Sequence, residues 1–149
     1  MTGFADQWRA AAPPSLAEIE ALAQEAYAKL PNEFRAMCQD LVIRVEDFPT
    51  DEVLESMHLE SEFDLLGLFQ GIGLPFQSEL APAHMPNMIW LYRRPILDYW
   101  AEHEDSLTAI VTHVLVHEIG HHFGFSDEDM EALEQAAEED GEPGGRAPP

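Results

Sequence analysis

The residues from Ser106 to Asp127, SLTAIVTHVLVHEIGHHFGFSD, hold the strongest helical pattern of the chain and four of its seven histidines. Apolar residues cover most of the circumference of a helix over 106–123, which predicts that this helix runs through the core. These residues are Leu107, Ile110, Val111, Val114, Leu115, Val116 and Ile119. Gly124 is placed to end the helix. The rest of the fold is therefore expected to pack around this segment.

Within the helix, the residues from His117 to His121 form an HExxH motif, HEIGH. Residues four apart lie on one helical face, so both imidazoles can reach one metal ion. Glu118 follows the first histidine directly and can act as a general base on a water molecule. Titratable side chains are unfavourable between apolar flanks unless they have a purpose. We therefore interpret His117 and His121 as metal ligands and Glu118 as a catalytic residue, rather than as hydrogen-bonded core side chains.

The motif continues to Asp127 as HExxHxxGxxD. Gly124 lets the chain leave the helix sharply, because glycine adopts backbone conformations that other residues resist. The reversal can bring Asp127 back to the metal as a third ligand, and two histidines with one carboxylate and water form a common catalytic zinc site. Asp127 also fits the acidic first turn of a helix capped by Ser126. The alternative carboxylates are Glu128, Glu131 and Glu134, whereas Glu142 lies in the Pro/Gly-rich tail.

Three further candidate ligands are assigned other roles. His113 lies one turn before His117, but eight residues separate it from His121. That is about 12 Å along the helix, too far for one tetrahedral ion to bridge both easily. We expect His113 to be a core histidine or a hydrogen-bonding partner of a ligand. His122 points about 100° away from His121 and is predicted to pack or to hydrogen-bond. Cys38, the only cysteine, is predicted to be a small buried hydrophobe.

The spacing of apolar residues outside this segment predicts further helices and strands. Helices are predicted over 16–30, where Ser15 and Glu18 form a capping box, and over 32–39, 50–57, 95–101 and 126–139. Strands are predicted over 41–45 and 88–92, an edge strand over 65–69, and a loop over 75–86. Trp90 and Tyr92 are interpreted as packing residues. If their strand lies at a sheet edge, it can instead pair with an extended peptide, and Tyr92 can donate to an oxyanion.

The chain has 149 residues and a formal net charge of −22. This length predicts a single domain, over 15–139. Pro13 and Pro14 end a predicted N-terminal arm over 1–14, and the Pro/Gly-rich residues 140–149 are predicted to be a disordered tail. The charge repels phosphate backbones, so nucleic acid and anionic membranes are excluded as partners, whereas basic peptides, basic proteins and metal ions are not. No secretory signal and no apolar run of about 18 residues is present. With one cysteine, these features predict a cytoplasmic protein.

The pattern HExxHxxGxxD resembles the extended motif of metzincin-type zinc peptidases. Together with IWLYRRP over 89–95 and HHFGFSDEDM over 121–130, it makes the chain similar to small bacterial zincin-like metallopeptidases, the minimal zincins, over 41–133. The resemblance implies an α+β fold, in which a small mixed sheet packs against the central HExxH helix beside N- and C-terminal helices. It also implies that zinc is bound by His117, His121 and Asp127, with Glu118 as the catalytic base.

The function that these observations predict is zinc-dependent hydrolysis of peptide bonds in a basic peptide or protein substrate. One alternative is a non-catalytic module, stabilised by a metal ion, that binds a basic protein partner through its acidic surface. A second alternative is a metal-dependent RNase. Glu118, Asp127 and the net charge of −22 argue against RNA as a substrate.

Overall fold

The computed structural model describes residues 3–71 and 87–140. The predicted loop over 75–86 and the predicted tail beyond residue 140 lie outside these ranges. The described residues form seven helices, three strands and a 3-10 turn over Glu62–Asp64. In chain order they are α1 Phe4–Arg9, α2 Leu16–Ala28, α3 Asn32–Cys38, β1 Val42–Glu46, α4 Asp51–Ser56, β2 Gly67–Gln70, β3 Met88–Tyr92, α5 Arg93–Glu102, α6 Leu107–His122 and α7 Asp127–Asp140.

Side chains at the N-termini of the helices set where those helices begin. The hydroxyl of Ser15 accepts a hydrogen bond from the backbone N–H of Glu18, whose carboxylate accepts the N–H of Ser15. This reciprocal pair is the predicted capping box, and it supplies partners for backbone donors that a helix end otherwise leaves open. Ser106 caps α6 through the N–H of Ala109, and Thr50 caps α4 through the N–H of Val53. The predicted helix starts are therefore confirmed to within two residues.

The three described strands form one mixed sheet in the order β1-β3-β2. β3 pairs in parallel with β1 and antiparallel with β2, so β2 lies at an edge of this sheet, as predicted for the segment over 65–69. The alternative in which the Trp90 strand pairs with a peptide is wrong, because β3 is flanked on both sides. Tyr92 is buried, and the indole N–H of Trp90 donates to Gln70 Oε1 on β2 at 3.0 Å. The packing interpretation of both residues is confirmed.

Helix α6 lies at the centre of the fold and contacts α2, α5, α7, β2 and β3. All of the apolar residues that predicted a core helix over 106–123 are buried. The core also includes residues from helices α2 and α3 and from the sheet, among them Ile19, Phe34, Ile89 and Leu91. The architecture is therefore α+β, with a small mixed sheet packed against the motif helix. Within the described parts of the chain, no helix combines the length and apolarity needed to cross a membrane.

Gly124 ends α6 in the left-handed conformation that the sequence predicts, with φ +79°. Its N–H donates to the carbonyl of His121 at 3.2 Å, and the N–H of Phe125 donates to the carbonyl of Gly120 at 2.8 Å. These two bonds form a Schellman motif, which supplies partners for the last carbonyls of the helix and reverses the chain direction. As a result, α7 begins three residues later and packs back against α6.

The α6–α7 contact is closest at Gly120 and Met130. A Cβ at Gly120 would lie 2.6 Å from the sulfur of Met130 and 2.9 Å from its Cγ, and Met130 has no exposed surface. Real Cβ atoms do not approach neighbours this closely, so the Met130 side chain can occupy this position against α6 only because residue 120 has no side chain. This constraint fixes which residues of α7 face the HExxH motif.

Replacing Gly120 with alanine is expected to destabilise the protein. Overpacking a buried contact costs about 1–3 kcal/mol, which outweighs the gain of about 1 kcal/mol from replacing glycine in a helix. Urea unfolding should therefore show a lower midpoint for Gly120→Ala. The control is Gly3→Ala, because nothing lies within 4 Å of a Cβ at Gly3, and its midpoint should stay close to wild type. A Gly120→Ala midpoint equal to or above wild type would contradict the close contact.

Cys38 is fully buried, and burial raises the pKa of its thiol, as expected for a structural cysteine. The reactive form of a thiol is the thiolate, so both effects slow alkylation. We expect iodoacetamide at pH 8 to label the folded protein at least about tenfold more slowly than the protein in urea. Mass spectrometry of timed samples measures both rates. Equal rates would show that the thiol is accessible in the folded state.

Candidate metal centre

Helix α6 places three histidines on successive turns: His113, His117 and His121. The rings of His113 and His117 are stacked, with centroids 3.9 Å apart and an angle of 30° between their planes. The rings of His117 and His121 are 5.6 Å apart and nearly perpendicular. Spacing by four residues therefore brings both HExxH histidines to the same side of the helix, as predicted.

Helix α7 adds a carboxylate, Glu134, to this side of α6. Glu134 follows the buried Met130 by one turn, so it faces α6. Its Oε1 atom lies 2.9 Å from His113 Nδ1, and its Oε2 atom lies 3.2 Å from His117 Nε2. A carboxylate only accepts hydrogen bonds, so each imidazole donates to one oxygen. One side chain of α7 thus connects two turns of α6.

The nitrogen atoms of His113 and His117 and a carboxylate oxygen of Glu134 all lie within 4.8 Å of one another. Over residues 3–71 and 87–140 this is the group of His, Cys, Asp and Glu side chains with the spacing of metal ligands, and neither His121 nor Asp127 belongs to it. Imidazole nitrogen and carboxylate oxygen are the donors that zinc binds in catalytic sites. The donor set at this position therefore fits zinc.

Asp127 is exposed and is the first residue of α7. The helix start is closed beside it, where the hydroxyl of Ser126 accepts the N–H of Asp129 at 3.1 Å and the Asp129 carboxylate accepts the N–H of Ser126 at 3.2 Å. The interpretation of Asp127 as part of a capped, acidic first turn is confirmed. Its role as a metal ligand stays a prediction, as do the roles of His117 and His121.

Glu118 points to the edge of β2 with which no other described strand pairs. The N–H of Tyr92 on β3 donates to the carbonyl of Leu66 at 3.0 Å. Because the backbone groups of a strand alternate in direction, those of Gly67 and Phe69 face away from β3. The carboxylate of Glu118 accepts a backbone hydrogen bond from Phe69. The candidate base therefore lies beside a strand edge that has no partner strand within residues 3–71 and 87–140.

The surroundings shift the acid–base properties of both central groups. Burial raises the pKa of the Glu118 carboxyl, although His121 and the hydrogen bond from Phe69 act in the opposite direction. Burial and the neighbouring His113 lower the pKa of His117, although Glu134 raises it. The neutral imidazole is the form that binds metals, so the surroundings of His117 favour the ligating form.

An open cavity of about 460 Å³ lies along this face of α6. Its wall includes His117, Glu118 and Glu134 on one side and the 65–67 segment before and at the start of β2 on another. Tyr99 of α5 and the acidic residues Asp64 and Asp105 also line the cavity. The volume lies in the range of small-molecule and peptide side-chain sites. The cavity therefore leaves His117 and Glu118 of the HExxH motif open to solvent-sized molecules.

The sequence places His113 beside the site and offers Glu134 only as an alternative carboxylate. Both residues have a signal in the sequence, since His113 precedes His117 by four residues and Glu134 follows Met130 by four. That spacing predicts which helical faces they occupy, but not that the two faces meet.

The prediction that His122 packs is confirmed, because its ring lies 4.5 Å from that of Phe69.

Taken together, a buried HExxH helix beside a small mixed sheet, with imidazole and carboxylate groups facing an open cavity, defines a metallopeptidase-like protein of the zincin class. Comparison with known families agrees with this class. Residues 38–137 match the family described as zincin-like metallopeptidase, and the chain belongs to that family.

A solved structure of a conserved hypothetical protein from Thermo thermophilus is similar to this chain, with a TM-score of 0.50 and 20% sequence identity. The similarity covers 74% of this chain and 94% of that protein. At this identity the likeness concerns the fold, which is the α+β fold predicted from the sequence. A search of curated proteins gives no match to the chain.

Zinc is expected to stabilise the folded protein, because it binds a site that the unfolded chain lacks. A ligand at 100 times its Kd adds about 2.7 kcal/mol to the free energy of unfolding. Thermal unfolding should show a higher Tm with zinc and no change with magnesium, which prefers oxygen ligands. His117→Asn should abolish the shift. The matched control His58→Asn, at an exposed left-handed position that asparagine tolerates, should retain it. An unchanged zinc shift in His117→Asn would exclude His117 as a ligand.

Proposed function

We propose that this protein is a zinc-dependent peptidase. His117 and His121 hold the metal together with a carboxylate, which the HExxHxxGxxD motif assigns to Asp127, and Glu118 is the general base. The observation that carries the proposal is the position of Glu118, which adjoins a histidine of the motif, a strand edge without a partner among the described strands, and an open cavity. Zinc in such a site polarises the scissile carbonyl and makes a bound water more acidic.

In this mechanism Glu118 carries out both proton transfers. Its carboxylate takes a proton from the attacking water as the water oxygen bonds to the carbonyl carbon. It then returns that proton to the amine nitrogen as the C–N bond breaks, so the carboxylate ends the cycle unprotonated. The backbone of Phe69 favours the charged, proton-accepting form of this carboxylate, whereas burial opposes it.

Among the described strands, β2 has one edge without a partner, and this edge is suited to hold an extended peptide. The outward N–H and C=O of Gly67 and the outward C=O of Phe69 can form a ladder with a substrate backbone, as in strand addition. Gly67 brings this edge close to α6, because a Cβ there would lie 2.6 Å from Val114 Cγ1. A peptide bound along β2 would therefore pass Glu118.

The charge of the chain favours basic substrates. The net charge is −22, and Asp64, Asp105 and Glu134 line the cavity. A negative field at a cleft raises the local concentration of cations and speeds their association, and salt weakens this effect. We therefore propose that the substrate is a basic peptide or protein segment. Cys38 is a buried free thiol, and free thiols are typical of reducing compartments, which supports the cytoplasmic location that we propose.

A second candidate function is a zinc-stabilised module that binds a basic protein without cleaving it. The exposed acidic surface of α7 favours it: Asp127, Glu128, Asp129, Glu131 and Glu138 are all exposed. Such a module needs the metal for folding and has no use for a general base.

The two functions are separated by Glu118→Gln, which keeps the shape of the side chain and removes the base. Hydrolysis of casein and of basic peptide libraries by the zinc-loaded protein is expected to fall about 10²–10⁴-fold. Zinc content, measured by elemental analysis, should remain at the wild-type level. The control Glu128→Gln, at an exposed position in the first turn of α7, should keep full activity.

Equal hydrolysis by wild type and Glu118→Gln would contradict the proposed mechanism. Stoichiometric zinc without turnover of any peptide would favour the binding module.

A further inference from the structure

We propose that Glu134 is a ligand of the metal ion next to His117, and that His113 positions its carboxylate by binding the second oxygen. The inference rests on the metal centre of the proposed function. It departs from the motif at one ligand: Glu134 takes the carboxylate position that HExxHxxGxxD gives to Asp127, and neither His113 nor Glu134 belongs to that motif.

The separation of the donor atoms of His117 and Glu134 suits one shared ion. Two ligands bound to a tetrahedral zinc ion at about 2.1 Å lie about 3.4 Å apart. The distance between His117 Nε2 and Glu134 Oε2 is 3.2 Å. The contact is a hydrogen bond through the proton on Nε2, and a metal ion replaces that proton when the imidazole becomes a ligand. Both donor atoms can therefore bind one ion with little change in their separation.

The second oxygen of the Glu134 carboxylate is held from outside the site. This oxygen, Oε1, accepts a hydrogen bond from His113 Nδ1 at 2.9 Å. Carboxylates that bind metals are commonly held by such an outer hydrogen bond, and losing it typically costs about 10–100-fold in metal affinity. The ion pairs of Glu134 within the described residues are both with imidazoles, so no lysine or arginine there competes for the carboxylate.

Packing of α7 fixes the position of Glu134. Met130 is buried against Gly120, and Ala137, one turn beyond Glu134, is also buried. The Schellman motif at Gly124 fixes the direction in which α7 leaves α6. The Glu134 side chain itself is only 24% exposed. Asp127, by contrast, is exposed at the start of α7.

Calorimetric titration of the full chain with zinc chloride tests the role of Glu134. Glu134→Gln keeps the size of the side chain and is expected to weaken zinc binding at least about tenfold. Glu131→Gln, an exposed change one turn earlier on the same helix, should bind zinc like wild type. Wild-type affinity in Glu134→Gln, with loss of binding in Asp127→Asn, would overturn the proposal and leave the HExxHxxGxxD ligand set.

The positioning role of His113 is tested by rescue. His113→Ala should weaken zinc binding about 10-fold or more, because the Glu134 carboxylate loses its outer donor. Asparagine places an N–H donor near the position of Nδ1, so His113→Asn should bind within about threefold of wild type. Thermal unfolding of the metal-free variants checks that both fold. Equal weakening in His113→Ala and His113→Asn, or no weakening in either, would overturn this role.

These titrations measure metal affinity and not catalysis, so they separate the inference from the proposed function. A chain that binds zinc through Glu134 but cleaves no peptide supports the inference and rejects the peptidase. A chain that needs Glu118 for hydrolysis but binds zinc normally without Glu134 rejects the inference and keeps the peptidase.

Discussion

The candidate site depends on the close approach of α7 to α6 at Gly120. Because residue 120 has no side chain, the sulfur of Met130 can lie 2.6 Å from where a Cβ would be, and the two helices pack in direct contact. The left-handed turn at Gly124 directs the chain into this arrangement. One turn beyond Met130, the same packing brings the Glu134 carboxylate to His113 and His117. The glycines within and after HExxH thus act through packing and chain direction rather than through chemistry.

A second close approach, at Gly67, positions the other side of the site. With no side chain at this residue, β2 lies against Val114 of α6, and the outward backbone of the strand reaches Glu118. Glu118, the strand edge and the imidazole–carboxylate cluster consequently lie around one cavity beside α6. No single element contains the site, since α6 supplies the histidines and Glu118, α7 the second carboxylate, and β2 the backbone edge.

Most elements can be predicted from the sequence, because they follow from local patterns. The apolar spacing of α6, the capping box at Ser15 and the β-branched run of β1 each depend on residues close in the chain. Strand order cannot be predicted in this way, because pairing depends on distant segments, and the sequence therefore leaves Trp90 ambiguous between edge and centre. The structure has a six-residue helix, α1, within the segment that the sequence predicts to be an arm. The helix is not predicted, because its residue pattern is too short to be recognised. The contact of Glu134 with His117 escapes prediction for the same reason as strand order, since it exists only once α7 docks on α6.

The central claim is that α6 and α7 together form a metal centre beside Glu118. The most direct test is a crystal structure of the zinc-loaded protein with anomalous diffraction recorded at the zinc edge. The predicted result is one anomalous peak between His117, His121 and Glu134, with His113 still bonded to the other oxygen of the Glu134 carboxylate. A peak away from α6, or a zinc ion on α6 with Glu134 turned out to solvent, would contradict it.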